Sequence, residues 1–315
     1  MEKLPNGLTV KPEKTAVILC GGGFCGICHA CALRVIEQNN IPVDEIIGNS
    51  VGAITGAAFL IEDCRADRIF DVFFSLKKPS SIFKFQSALY FIKKLGMPET
   101  IYRDDGLLRI IASLDTKKLI EQPKEFIVAT THIPSGKITY FSKNDPEMLE
   151  DPINLSLAIK AAASPLGIFP YVILKRHGEY GIYADGGYKR PLPIKKAIDD
   201  GCNTIIVVRC QSDRTKESIS GILHKRFPHL LVYGFNLLHH SVEKDEISIM
   251  RKLYPQTNII VSEPNWLPPS LSMESFEAGD FQKVTRTFTP NAELTLAPLI
   301  EYYKNQLNPP QANPA

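Results

Sequence analysis

The sequence has almost no net charge and no long hydrophobic run. Its 36 Lys and Arg residues nearly balance its 34 Asp and Glu residues, which gives a formal net charge of +2 over 315 residues. That balance gives no electrostatic reason to expect nucleic acid as a partner. The longest apolar run covers residues 51–61 and falls well short of the roughly 20 residues that a membrane-spanning helix needs.

The sequence also lacks the cysteine pattern of a disulfide-stabilised secreted protein. Its seven cysteines are an odd number, and four of them fall between Cys20 and Cys31. This clustering favours a reducing compartment over a disulfide framework. The first 14 residues are polar and lack the apolar core of a signal peptide. We therefore expect a soluble, cytoplasmic protein without a transmembrane segment.

The chain does contain enough hydrophobic sequence for a large core. Hydrophobic residues make up 44% of it, and apolar strands alternate with helical segments without an internal repeat or a convincing linker. We predict one α/β domain over residues 14–304. An N-terminal extension, 1–13, precedes it, and a proline-rich tail, 305–315, is expected to be disordered.

The most informative stretch is a short motif around a serine. Gly48-Asn49-Ser50-Val51-Gly52 lies between a β-branched strand and a helix of small residues. Gly-x-Ser-x-Gly in that context is typical of a nucleophile elbow, in which the glycines let the chain turn sharply below an exposed serine hydroxyl. The pattern also recurs by chance, so an ordinary glycine-rich turn with an idle serine is the alternative.

A second glycine-rich turn, Gly21 to Gly26, follows a buried strand predicted over residues 15–20 and precedes a helix over 27–39. With the strand of the serine motif, these segments form one βαβ unit. Both turns then lie at the carboxyl ends of their strands, where open α/β sheets bind ligands. Besides an ordinary tight turn, three functional interpretations of this turn are open.

The first interpretation is a dinucleotide-binding fingerprint, because Gly21, Gly23 and Gly26 fit G-x-G-x-x-G. That fingerprint needs an acidic residue near the end of the second strand, whereas Asp44 and Glu45 fall at its start. The spacing therefore disfavours a nucleotide cofactor.

The second interpretation is a metal or haem site. Cys25-x-x-Cys28-His29 matches the c-type haem attachment pattern, and Cys31 continues the spacing. No further ligand cysteine follows close by, and haem attachment would require export. We predict instead that these small thiols pack a helix against the sheet and hold no metal.

The third interpretation is an oxyanion hole. Consecutive glycines at a helix N-terminus expose backbone N–H groups, and the helix dipole adds partial positive charge. Each such donor stabilises the oxyanion of a tetrahedral acyl intermediate by about 2.7–4 kcal/mol. Parallel pairing of the two strands would bring this turn beside Ser50.

A candidate base follows later in the chain, where a predicted strand over 181–184 runs into Asp185-Gly186-Gly187. The two glycines leave the aspartate unshielded at the strand edge. An ordinary Asp-Gly turn is the alternative, because that turn is very common.

Two segments contain apolar residues, and the sequence pattern does not determine what these residues pack against. Residues 80–94 are aromatic with interspersed basic residues and fit either a membrane-facing lid or an ordinary helix on the sheet. Residues 219–246 are predicted to be helical, with apolar residues that fit core, lipid contact or a dimer interface.

Taken together, the motifs resemble those of the patatin-like phospholipase family. The match consists of Gly21-Gly22-Gly23-x-x-Gly26, Gly48-x-Ser50-x-Gly52 and Asp185-Gly186-Gly187, in the family's order and rough separation. Flanking stretches over 158–170 and 188–193 also resemble the family. The likeness covers roughly residues 14–210.

The resemblance implies a three-layer α/β/α fold with a mostly parallel central sheet, and hydrolysis of lipid acyl esters without a metal or cofactor. Ser50 would be the nucleophile and Asp185 the general base. The N–H groups of Gly22, Gly23 and Val51 would form the oxyanion hole. The implied partner is a phospholipid or another acyl-ester lipid, with transient contact to a membrane surface.

One position departs from the family's pattern, since Cys25 stands where the family usually has Arg or Lys. Backbone donors survive this change. A positive charge near the oxyanion or near a lipid phosphate does not, so the departure bears on headgroup preference.

Three alternatives to a dyad hydrolase are open at this point. An α/β-hydrolase triad would take its base from the histidines after Asp185, which are His224, His229, His239 and His240, although that fold places its serine later in the chain. An acyltransferase of the same fold would pass the acyl group to an alcohol. A catalytically silent lipid- or nucleotide-binding module would keep only the fold.

Overall fold

The computed structural model describes residues 4–86, 100–211, 227–273 and 275–307. Within these ranges the chain forms a mixed sheet with helices on both sides, and a separate two-stranded hairpin. Parts of the segments interpreted above, namely 87–94, 219–226 and 308–315, lie outside the described residues.

The described strands, in chain order, are β1 Thr15–Leu19, β2 Glu45–Gly48, β3 Lys84–Phe85, β4 Tyr102–Arg103, β5 Glu125–His132, β6 Lys137–Ser142, β7 Val172–Arg176, β8 Glu179–Asp185, β9 Thr204–Val208 and β10 Asn258–Ser262. The main sheet has the order β10-β9-β1-β2-β5-β8-β7, and β6 also pairs with β5. From β10 to β5 the strands are parallel, whereas β6, β7 and β8 pair antiparallel. The predicted α/β/α fold with a mostly parallel sheet is therefore confirmed.

The described α-helices are α1 Ile27–Gln38, α2 Val51–Ile61, α3 Asp67–Ser75, α4 Asp105–Ala112, α5 Thr116–Glu121, α6 Pro146–Glu150, α7 Pro152–Ala162, α8 Ile194–Asp199, α9 Phe227–Leu253 and α10 Asp280–Leu307. Across the described ranges, none of them combines the length and apolar character needed to cross a bilayer.

Burial explains why β1, β2 and β9 occupy the centre of the sheet. Their sequences are Thr-Ala-Val-Ile-Leu, Glu-Ile-Ile-Gly and Thr-Ile-Ile-Val-Val, and every residue in them is buried. Parallel strands that are covered on both faces need such continuous apolar runs. These strands therefore form the buried centre of the sheet, and the turns that carry the candidate site follow β1 and β2.

Strand register brings the functional turns to one edge of the sheet. Leu19 at the end of β1 pairs with Gly48 on β2 and with Val208 on β9. The turn after β1, the serine turn after β2 and the chain leaving β9 therefore lie side by side. The winding of the sheet reverses between β1 and β9, and such a switch point is where α/β sheets open a crevice for ligands.

Antiparallel pairing of β8 delivers Asp185 to the same edge. Asp185 lies opposite Thr130 on β5, and Val128 on that strand pairs with Gly48 of β2. The end of β8 is thus only two residues along β5 from the level at which β2 ends. This topology brings Asp185 close to Ser50, although the two residues are far apart in the chain.

Most predicted elements are confirmed to within a few residues, but α10 was not expected. It contains Pro290 and Pro298, and proline inside a helical pattern normally indicates the end of a helix. The helix ends at Leu307, which lies inside the tail, 305–315, that was predicted to be disordered.

The N-terminal residues expected to form an extension are bonded to the sheet. Thr9 N and Val10 N donate to Asn258 Oδ1 at 2.8 and 3.2 Å, and Leu8 is buried. One continuous apolar cluster runs from Leu8 to Tyr302. The domain bounds of 14–304 stay a prediction.

Candidate active site

Ser50 lies at the turn between β2 and α2, in a backbone conformation that most residues avoid. Its φ is 52° and its ψ is -128°, a left-handed state that costs a non-glycine residue about 1–3 kcal/mol. Two hydrogen bonds fix the turn, because Asn49 N donates to Leu19 O at 3.0 Å and Gly52 N donates to Asn49 O at 2.8 Å. The serine therefore stands at the apex of a sharp, strained turn.

The motif glycines of this turn allow very close backbone packing. A Cβ on Gly52 would overlap the carbonyl oxygen of Leu19, and a Cβ on Gly48 would overlap the backbone of Ala53. A Cβ on Gly26, in the neighbouring turn, would stand 2.8 Å from Val51 Cγ2. Side chains at these three glycine positions would push the serine turn away from β1.

We expect Gly52→Ala to destabilise the fold by about 3 kcal/mol, because the added methyl meets backbone atoms that cannot move aside. The matched control is Gly234→Ala in α9, where a Cβ meets nothing within 4 Å and the helix gains about 0.5–1 kcal/mol. Thermal unfolding followed by circular dichroism measures both variants. A Gly52→Ala protein as stable as the wild type would contradict this packing.

Asp185 is almost completely buried at the end of β8. Gly187 N donates to its Oδ1 at 2.8 Å, and Thr131 Oγ1 donates to its backbone oxygen at 2.9 Å. Burial raises the pKa of Asp185 to about 6, although His239, the Gly187 N–H and the Ser50 hydroxyl each favour the ionised form. The carboxyl group is thus held in place and titrates near neutral pH.

Ser50 and Asp185 are neighbours. The serine hydroxyl is near enough to lower the pKa of the aspartate, yet Asp185 Oδ2 has no hydrogen bond of standard geometry within the described residues. The two groups are therefore adjacent, without a well-formed hydrogen bond between them.

The glycine-rich turn after β1 lies directly against Ser50. A Cβ on Gly21 would stand 3.2 Å from Ser50 Cβ and 3.7 Å from Ser50 Oγ. In the described part of the chain, the backbone N–H groups of Gly22, Gly23 and Val51 donate to no protein acceptor. Donors without a protein partner beside a serine are what an oxyanion hole requires.

An apolar pocket opens beside Ser50. Its empty volume, including the part open to solvent, is about 900 Å³. Val51, Ile54 and Ala58 line it on successive turns of α2, and the helix rises about 12 Å between Ser50 and Ala58. The remaining apolar lining comes mainly from Phe24, Ile69, Phe73, Ile82, Phe83, Leu107, Ile110, Leu114 and Phe169.

The described part of the aromatic segment 80–94 contributes to this pocket. The ring of Phe83 lies 5.4 Å from that of Phe24 and 5.2 Å from that of Tyr102. Phe85, two residues later, is 54% exposed. Phe83 is therefore pocket lining rather than a surface contact, and the lid interpretation of residues 87–94 falls outside the described residues.

The family model for patatin-like phospholipase matches residues 17–198, which is more than half of the chain. The chain belongs to the patatin-like phospholipase family. At the level of the family, this indicates a lipid hydrolase of the phospholipase type.

Among curated proteins, this patatin-like chain is similar to lysophospholipase NTE1 of Candida glabrata, with 25% identity over 215 residues. The match to lysophospholipase NTE1 of Saccharomyces cerevisiae has 27% identity over the same length. Each match covers 64% of this chain but only 11% of the relative. Among solved structures, VipD from Legionella pneumophila aligns with a TM-score of 0.46 and 11% identity, covering 96% of this chain and 71% of that one.

The position at which this patatin-like chain departs from its family is buried. Cys25 lies in a single 3-10 turn before α1, and burial raises the pKa of its thiol well above the usual range. The side chain is therefore neutral and adds no positive charge to the glycine-rich turn after β1.

Two cysteines and a histidine, Cys20, Cys210 and His29, form a cluster near this turn. The local spacing of Cys25, Cys28 and Cys31 did not suggest this combination. The ligand atoms of Cys20, His29 and Cys210 lie within 4.8 Å of one another and are buried. His29 Nε2 is 3.1 Å from Cys210 Sγ, and its Nδ1 is 2.9 Å from Thr55 Oγ1. Burial lowers the pKa of His29 to about 3 and raises those of the Cys20 and Cys210 thiols. The three ligand atoms are close enough to hold a metal ion, and the absence of a metal stays a prediction.

Of the four histidines that a triad could have used, His239 lies at the site. Position 187 must be glycine, because a Cβ there would overlap His239 Nε2. His240 instead lies 3.0 Å from an Nη2 donor of Arg209. His224 and the side chain of His229 lie outside the described residues.

A buried charged network behind His239 was missed by the sequence analysis. Glu243, one turn along α9, places Oε1 3.5 Å from His239 Nδ1 and accepts a hydrogen bond from Arg209 Nε at 2.9 Å. Arg209 also pairs with Glu263. One sequence signal could have indicated the network. Arg209 directly follows the buried strand β9, and a buried charge needs a partner of opposite charge.

Proposed function

We propose that this chain hydrolyses carboxylic esters of lipids, as a phospholipase A or lysophospholipase, through a dyad of Ser50 and Asp185. The single observation that carries the proposal is the meeting of a strained serine, a buried aspartate and unpaired backbone donors at the mouth of an apolar pocket. An acyl chain in the pocket would place its ester carbonyl beside Ser50.

The reaction proceeds through an acyl-serine intermediate. Asp185 accepts the proton of the Ser50 hydroxyl as Ser50 Oγ attacks the ester carbonyl carbon. The N–H groups of Gly22, Gly23 and Val51 receive the negative charge that forms on the carbonyl oxygen. Protonated Asp185 then gives its proton to the departing alcohol, and in the second half it activates the water that releases the fatty acid.

Burial makes Asp185 a better base than an exposed carboxylate would be. A carboxyl group with a pKa near 6 accepts a proton far more readily than one near the ordinary value of 3.8. It is nevertheless mostly ionised at neutral pH, as a general base must be. The elevated pKa is thus matched to the task.

We expect the pH profile of kcat/KM to fall on its acid side with a midpoint near pH 6, because protonated Asp185 cannot accept the serine proton. Activity should be nearly full above about pH 7, where the carboxylate predominates. Initial rates on a lysophospholipid in mixed micelles, measured from about pH 4.5 to 9, test this. A midpoint near pH 4, the range of an ordinary carboxyl group, would contradict a buried base.

Two alternatives differ in ways that products and probes can resolve. An acyltransferase would use the same acyl-serine and pass it to an alcohol, so added glycerol or lysolipid would divert the product from free fatty acid. A silent binding module would have no use for a strained serine next to a base. The energetic cost of the Ser50 backbone therefore favours catalysis.

The first test is covalent labelling with a fluorophosphonate probe. Wild-type protein is expected to gain one adduct, and peptide mass spectrometry should place it on Ser50. Ser50→Ala should remove the adduct completely. Folded wild-type protein that stays unlabelled and releases no fatty acid from lipid micelles would reject the proposed function.

A further inference from the structure

His239 occupies the space next to both members of the dyad. A Cβ on Gly187 would overlap His239 Nε2 and would stand 3.0 Å from Asp185 Oδ1. A Cβ on Gly21 would stand 3.4 Å from His239 Cε1 and 3.7 Å from Ser50 Oγ. The imidazole is only 5% exposed, so it is enclosed in the site and not a surface group passing nearby.

A fully buried carboxylate lies beside this imidazole. Glu243 is 0% exposed and lies 3.5 Å from His239 Nδ1, at the i+4 position where two side chains of one helix meet. Its other oxygen accepts from Arg209, which is held in turn by Glu263 and by His240. Burial alone would raise the pKa of Glu243, but His239 and Arg209 together hold it below the ordinary value.

We propose that His239, beside Glu243, is a positioning residue that acts through Asp185 and favours the ionised form of the buried carboxylate, which accepts the Ser50 proton. The proposal rests on the proposed function, and His239 itself transfers no proton in it. An opposite charge close to a buried carboxylate favours ionisation by the equivalent of roughly 1–3 pKa units. The Ser–Asp pair is thereby ready at neutral pH despite its burial.

Other titratable groups interact with Asp185 or with Glu243. Tyr188 interacts with Asp185, and Cys20, Arg209 and Glu246 interact with Glu243. Arg190 and Glu263 complete this network through Glu246 and Arg209. Each of the three glutamates already pairs with one of the two arginines. Among the groups that favour the ionised form of Asp185, His239 has the largest effect on its pKa.

The test compares pH profiles of kcat/KM for the wild type, His239→Gln and His239→Lys. Glutamine is uncharged at every pH, so the acid-side midpoint should move up from near pH 6 by about one unit. At about pH 9, where Asp185 is ionised in either protein, the rates should agree within about threefold. Lysine supplies a positive charge at this position, so its midpoint should not rise above that of the wild type.

The matched control is His132→Gln, which makes the same chemical change at a histidine that contacts Ser135 in the hairpin between β5 and β6. Its profile should coincide with that of the wild type. Thermal unfolding of every variant separates loss of fold from loss of function.

Three outcomes would overturn the proposal. A folded His239→Gln protein with reduced activity but an unmoved midpoint would give His239 a merely structural role. A His239→Gln protein that loses fluorophosphonate labelling at every pH, as Ser50→Ala does, would make His239 the base. A His239→Lys midpoint as high as that of the glutamine variant would exclude an effect of charge. Failure of the proposed function itself would be distinct, because wild-type protein would then show neither labelling nor hydrolysis.

Discussion

Asp185→Asn is expected to lower kcat/KM for a lipid ester about 10³- to 10⁴-fold, because the amide keeps the shape of the carboxyl group but cannot accept the Ser50 proton. Replacing the aspartate of a serine triad by asparagine has an effect of about this size. The amide oxygen of the new side chain can still accept from Gly187 N, as the Asp185 carboxylate does at 2.8 Å. The loss should therefore appear in kcat rather than in the fold.

The same substitution should stabilise the protein at neutral and alkaline pH. In the folded state the pKa of Asp185 lies near 6, above its ordinary value of 3.8, so the folded chain binds this proton more tightly than the unfolded chain does. This contribution to stability is fully present below about pH 4 and is lost as the pH rises through about 6. An asparagine does not titrate, and Asp185→Asn should raise the melting temperature more at about pH 8 than at about pH 4.

Asp199→Asn is the control for both measurements, since Asp199 is half-exposed and pairs with Lys195 on the previous turn of α8. It should leave activity intact and stability nearly so, because exposed ion pairs contribute about 0–1 kcal/mol. Retention of full activity in Asp185→Asn would remove the aspartate from the mechanism. Equal melting shifts at the acidic and the alkaline pH would refute the raised pKa.

Ala58→Trp is expected to convert the protein from a long-chain to a short-chain esterase. Ala58 lines the apolar pocket about two helical turns from Ser50, so an indole there would fill the distal part of the pocket. Each buried methylene contributes about 0.8 kcal/mol. Excluding about four of them would cost roughly 3 kcal/mol, or about two-hundredfold in kcat/KM for a long acyl chain.

Short acyl chains provide the internal control, because they end before they reach Ala58. Rates on butyryl and palmitoyl esters of one alcohol should be compared in the wild type and in the variant. Ile110→Trp, at a partly exposed position of the same pocket, offers a second way to shorten it if Ala58→Trp folds poorly. Unchanged chain-length preference in both folded variants would mean that the acyl chain binds elsewhere.

Local sequence determined the backbone geometry at Ser50. The glycines at 48 and 52 are needed because neighbouring backbone leaves no room for a Cβ, and the strained turn that they permit involves only a few residues of chain. The continuous apolar runs of β1 and β9 are equally local signals of buried parallel strands. A motif that depends only on local backbone geometry can be recognised from the sequence alone.

The tertiary structure decided everything that depends on which strand ends meet. The parallel pairing of β1, β2 and β9 and the antiparallel entry of β8 place Asp185 beside Ser50, whereas the residues alone could only make an Asp-Gly turn a candidate. His239 was one of four histidines with equal standing in the sequence. Only the packing of α9 selects it and supplies Glu243 and Arg209 behind it.

The cysteines and the unexpected helix α10 also show the difference between what local sequence predicts and what tertiary packing decides. The spacing of Cys25, Cys28 and Cys31 suggested one local cluster, but the group that forms around His29 takes its thiols from Cys20 and Cys210, which follow two different strands. Pro290 and Pro298 kept α10 from being predicted, although the helix continues through both prolines and buries one side. Sequence determined what each turn can do, because backbone sterics are local. Tertiary structure decided which groups act together, because burial and charge depend on neighbours that are remote in the chain.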